Sequence, residues 1–119
     1  MSDFQEKFHS MTDFVSGAAK SIMGAIDHFT FKMLVDGLKA DDFEAVSGTI
    51  EQLEREKRPL SIPPLYFVWQ AHPNNLLRER AHKALAKIGD IKEIEKITRD
   101  KSTEEGVKIL LEKYGHYRQ

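Results

Sequence analysis

Residues Asn74–Gly115 read NNLLRERAHKALAKIGDIKEIEKITRDKSTEEGVKILLEKYG, and the reading of this stretch decides the fold. It holds two helices of one design, each closed by a glycine, with a short apolar helix between them. Sliding the second helix back by 26 residues lays Val107 on Ala81, Leu110 on Ala84, Leu111 on Leu85, Tyr114 on Ile88 and Gly115 on Gly89. Steps of three and four put these side chains on one helical face. Each glycine follows the last apolar residue, the position where a left-handed residue ends a helix. Asn74 or Asn75 is the expected N-cap of the first helix, residues 75–88. Ser102 with Glu105, and Asp90 with Glu93, have the capping-box spacing for the helices that follow. The helix opened by Asp90 turns Ile91, Ile94 and Ile97 inward.

The run LLRERAHKALAKIGD resembles the second helix of a HEAT-like repeat, of the short kind found in helical arrays and in phycobilin lyase subunits. The likeness rests on Arg78 or Arg80 near the start, on the small residues Ala81, Ala84 and Ala86, and on the closing Ile88-Gly89-Asp90. The second unit departs from the pattern, with Gly106 where the arginine should stand and no aspartate after Gly115. The resemblance covers the C-terminal half. It implies a short stack of helical hairpins, and it admits an accessory, lyase-like role on a chromophore-bearing partner. Two units are fewer than such arrays need to stand alone, so the N-terminal half is expected to cap them.

The chain has 119 residues, which is one domain with a core of modest size. Hydrophobic residues make up 40% and charged residues 31%, a balance that excludes a disordered chain. No apolar run is long enough for a membrane span, and no apolar stretch of signal-peptide type opens the chain. Cysteine is absent, which removes disulfides, thiol catalysis and Cys-based zinc sites from consideration and agrees with a cytoplasmic setting. Net charge is −1 but divided: residues 1–56 hold eleven acidic and five basic residues, whereas residues 57–119 hold eight and thirteen. The halves could complement each other within the fold or between subunits, or the basic half could face an acidic partner.

In residues 1–38, Phe4, Phe8, Met11, Val15, Ala18, Ile22, Ile26, Phe29 and Met33 recur at steps of three or four. This predicts one long amphipathic helix, or two broken near Gly24–Asp27. The stripe has three readings: a core helix packed on the repeat, an oligomer interface through Phe4, Phe8, Met11, Val15 and Ile22, or a membrane-surface helix, for which it carries too few basic residues. Asp41 with Glu44 is the expected cap of the next helix, which runs to about Glu56 with Phe43, Val46, Ile50 and Leu53 inward. Ser61-Ile62-Pro63-Pro64 opens a helix that continues through Leu65-Tyr66-Phe67-Val68-Trp69 without a polar break, the expected centre of the core. Pro73 ends it. Hairpins then fill residues 41–115, and residues 116–119 are a tail.

No catalytic grammar is present. The histidines lack the H-E-x-x-H spacing, no G-x-S-x-G elbow occurs, and neither a P-loop nor a G-x-G-x-x-G loop exists. His9 and Asp13 share a helix face but make no metal site by themselves. The carboxylate pairs Asp41-Asp42 and Glu104-Glu105 open helices, where the helix dipole accounts for them. No cofactor, metal or enzymatic activity is expected. The surface singled out is basic: Arg80, Lys83 and Lys87 along helix 75–88, with Arg78 and His82 on the adjacent strip, and Lys92, Lys96 and Arg99 on the next helix. It reads either as a solvated face or as a patch for an acidic protein surface. Nucleic acid is disfavoured by a pI near 6.5 and by the lack of interleaved aromatics. The expectation is an all-α domain of about six helices, a non-enzymatic interaction or adaptor module whose partner contacts Arg78, Arg80, Lys83 and Lys87. The alternatives are a homo-oligomer assembled through the N-terminal stripe and an accessory lyase-like subunit.

Overall fold

The computed structural model describes residues 4–11, 33 and 35–114. The chain is all-α, and among the described residues there is no strand. Residues 4–11 form α1. A 3₁₀ turn, Gly37–Lys39, leads into α2 (Phe43–Glu56). A second 3₁₀ turn, Pro59–Ser61, leads into α3 (Ile62–Ala71), followed by α4 (Asn75–Ile88), α5 (Ile91–Thr98) and α6 (Thr103–Tyr114).

Helix α3 sits at the centre. Leu65, Tyr66, Phe67 and Val68 are all at most 2% exposed, because α4 packs on one side of it, α6 on another and α1 on a third. A helix apolar on every side can only be stable when surrounded, since each such side chain contributes about 1.5–3 kcal/mol on full burial. Its prolines, Pro63 and Pro64, stand in the first turn, where no backbone N–H is needed.

Several starts and stops fall where the side chains dictate. The Asn74 carboxamide accepts from the N–H groups of Leu76 and Leu77 at 2.9 and 3.2 Å. Asp90 accepts from Lys92 and Glu93 at 3.1 and 3.2 Å. Ser102 and Glu105 form the reciprocal capping box, with Glu105 N–H donating to Ser102 Oγ and Ser102 N–H donating to Glu105 Oε1.

Other expectations need correction. The cap of α2 is Asp42, which accepts from Ala45 N–H at 3.0 Å, and not Asp41. Asp41 instead accepts from Gln5 Nε2 at 2.6 Å, and the same amide donates to the Lys39 carbonyl at 2.9 Å, tying α1 to the link before α2. Phe43, expected inside, is 43% exposed. Gly89 closes α4 but in an extended conformation, φ −140°, which any residue can adopt. Its requirement is space: a Cβ there would lie 3.1 Å from Ile62 Cδ1. The left-handed positions among the described residues are Lys57 and Asp100, at φ 52° and 64°. Gly115 and the tail lie outside the described residues, as does the question of one helix or two before Met33.

The N-terminal stripe is corrected in the part that is described. Phe4, Phe8 and Met11 are 7%, 0% and 6% exposed, buried in this chain's own core. Phe8 meets Phe67 edge-on at 5.7 Å, and Phe4 lies 5.6 Å from Phe67 and 4.6 Å from the His72 ring. These three belong to this chain's own core. Val15 and Ile22 lie outside the described residues.

Candidate protein-interaction surface

The basic residues of α4 are separated by their neighbours into two flanks. Leu77, Ala81, Ala84 and Leu85 form its buried face. With 100° per residue, Arg80 and Lys87 fall on one side of that face, and Arg78 and His82 on the other.

On the first flank stands α2. Its Glu54 accepts from Arg80 Nη1 at 2.6 Å and pairs with Lys87 Nζ at 3.3 Å. Burial alone would raise the Glu54 carboxyl, but hydrogen bonds from Arg80 and Lys87, with their charges, outweigh it and hold it below its ordinary value. One carboxylate therefore serves two cations, and Arg80 and Lys87 act first as a tie between α2 and α4.

The second flank is open. Trp69 emerges half-buried from the end of α3, edge-on to Tyr66 at 5.8 Å, with the His82 ring 4.6 Å away. His82 Nε2 lies 3.2 Å from Glu95 of α5. Arg78 donates through Nη2 to Asn75 Oδ1 at 2.9 Å and through Nη1 to the His72 carbonyl. Both acceptors are neutral, so the guanidinium is held in place with its charge uncompensated by a carboxylate. Lys83 is exposed and has no ion-pair partner among the described residues. Trp69, Asn75, Arg78, Glu79, His82 and Lys83 line an open cleft of about 350 Å³.

Of the four residues expected to meet a partner, the structure gathers Arg78 and Lys83 at this cleft and diverts Arg80 and Lys87 to Glu54. Trp69 joins the surface although the sequence placed it in the core; nothing in an unbroken apolar run marks which residue reaches the rim. Glu54 was likewise hidden in the charged run EQLEREK, where its two partners, more than twenty residues away, leave no local trace.

His72 is 8% exposed. Its Nδ1 accepts from Asn74 N–H at 2.9 Å, so the ring is neutral at that nitrogen. Burial lowers its pKa, and the nearby Arg78 charge lowers it further. Its hydrogen bond fixes the turn into α4. Among the described residues no three His, Asp or Glu side chains converge closely enough to hold a metal ion, and no helix is long and apolar enough to cross a membrane.

No family model matches this chain, and no curated protein or solved structure does so at a significant level.

Proposed function

We propose that this chain is a non-enzymatic protein-interaction module that binds an acidic segment of a partner through the open flank of α4. The observation that carries the reading is the juxtaposition of half-buried Trp69 with a pre-positioned Arg78 and an unpaired Lys83 in one cleft. Tryptophan and arginine are enriched among the residues that dominate the energetics of protein interfaces, and Arg78 is already held in place by its two hydrogen bonds, so less freedom is lost on binding. The positive charge of Arg78 and Lys83 selects a carboxylate-bearing partner and speeds its approach.

The test is affinity capture with quantitative mass spectrometry, comparing the wild-type chain with Lys83→Glu, Trp69→Ala and, as a control, Lys87→Ala. A partner retained by wild type and by Lys87→Ala, but lost with Lys83→Glu and Trp69→Ala at unchanged circular dichroism, supports the reading. Undiminished capture by the Lys83→Glu protein overturns it.

A further inference from the structure

A second surface lies at the opposite edge of α4, along the seam with α2. Glu54 bonds to Arg80 and Lys87, and Phe43 shares a cleft with Asn74 and Leu77, so α2 and α4 run side by side in the same direction. Phe43 stands eleven residues before Glu54, and Leu76 eleven before Lys87. Eleven residues are close to three whole turns, so each apolar residue lies on the same stripe as the charged one, about 16 Å nearer the helix start. The two stripes meet at the Glu54–Lys87 pair, so Phe43 and Leu76 flank the same seam at its other end.

Both are exposed, Phe43 by 43% and Leu76 by 63%. Next to them is a cleft of about 350 Å³ with Ala40, Val46, Pro73 and Leu77 in its walls. Asp41 and Asp42 also line it, Glu44 is exposed directly after Phe43, and no Lys or Arg lines it among the described residues. Asp42 accepts from the Ala45 N–H and Asp41 from Gln5, both neutral donors, and neither carboxylate has an ion-pair partner among the described residues.

We infer that this acidic-rimmed apolar cleft is a second docking site, taking an apolar side chain flanked by Lys or Arg from another protein. The charge of the rim selects the occupant: an apolar residue supplies the burial that Phe43 and Leu76 lack, and basic neighbours meet the carboxylates. The chain would then join two partners of opposite charge on the two edges of one helix. This surface shares no residue with the Trp69 cleft, so either can fail without the other.

The experiment is amide chemical-shift mapping with a synthetic lysine-flanked leucine peptide and its glutamate-flanked counterpart. Expected are shifts at residues 40–47 and 73–77 with the lysine peptide only, weakening with added salt. Leu76→Ser should weaken binding at least about tenfold, and Lys83→Glu should leave it unchanged. Leu76 is mostly exposed, so its replacement should leave the circular dichroism intact. Equal response to both peptides, or shifts elsewhere, overturns the proposal. So does concentration-dependent self-association by light scattering that Leu76→Ser abolishes, because the occupant would then be a second copy.

Discussion

Helices α4 and α6 carry the same apolar register and have different surroundings. Ala81, Ala84 and Leu85 of α4 are fully buried, and their counterparts Val107, Leu110 and Leu111 are 5%, 0% and 7% exposed. Both helices lay that face on α3. One difference between them is instructive: Arg80 of α4 corresponds to Gly106 of α6. Arg80 looks along the helix edge to Glu54, where a long cation has both room and a partner. Gly106 lies against the Tyr66 ring, and a Cβ there would overlap the ring, with Cε2 only 2.7 Å away. A repeated pattern of apolar residues therefore sets which face is buried. It does not set how closely the next backbone approaches, and that distance decides whether a position takes an arginine or must remain a glycine.

Exchanging residues between the two registers tests this directly. Gly106→Arg, which writes the α4 residue into α6, should have the largest effect. Tyr66 is 2% exposed and cannot move aside, so the variant should lose its cooperative thermal transition by circular dichroism. A transition near the wild-type temperature would show that the α3–α6 contact yields easily and would break the comparison. Leu110→Ala, again the α4 residue at that register, should cost about 2–5 kcal/mol in urea unfolding, because Leu110 is fully buried and α3 cannot close over the cavity. A cost below about 1 kcal/mol would mean that α6 is held less by its apolar face than α4 is.

On the α4 side, Glu54→Gln should cost on the order of 1 kcal/mol, since its partners are partly solvent-exposed. Here the pH sign is decisive. The Glu54 carboxyl is held below its ordinary value of 4.5 in the fold, so its contribution is complete above that pH. It is lost as pH falls through the lower folded value, and the Gln variant should lack that part of the acid destabilisation. Identical acid unfolding midpoints for the two proteins would remove Glu54 from its role as the tie.

The smallest effect belongs to the turn that enters α4. His72 is kept neutral by burial, with a folded pKa below its ordinary 6.5. As pH falls below that value the unfolded chain takes up the proton first, so stability is complete above it and declines beneath it. His72→Gln should flatten the decline in melting temperature between neutral and mildly acidic buffer, and an unchanged slope would assign the decline to other groups.

Much of the fold was legible locally. The unbroken apolar run Leu65–Trp69 announced the central helix, since only a surrounded helix tolerates it. The caps Asn74, Asp90 and Ser102 act within three residues of themselves, so their spacing was enough. The register of Ala81, Ala84 and Leu85 followed from helical geometry alone. Apart from the backbone of Gly89, the features the pattern misplaces concern neighbours distant in sequence. Asp41 has the spacing of a cap, but its partner is Gln5, more than thirty residues away, which no local pattern marks. Periodicity puts Phe43 on the core face, yet it sits at the start of α2, where the seam with α4 leaves it half open.

Among the described residues, the sequence by itself determined which segments are helical, where several of them start, and which face of α4 and of α6 is apolar, because these depend on side chains within one or two turns. Only the tertiary structure decided that Phe4, Phe8 and Met11 are core, that Glu54 claims Arg80 and Lys87, and that Trp69 reaches the rim beside Arg78 and Lys83. Those outcomes depend on which helices become neighbours, and the ion pairs and ring contacts that distinguish one flank of α4 from the other exist only once α2, α3 and α5 are packed beside it.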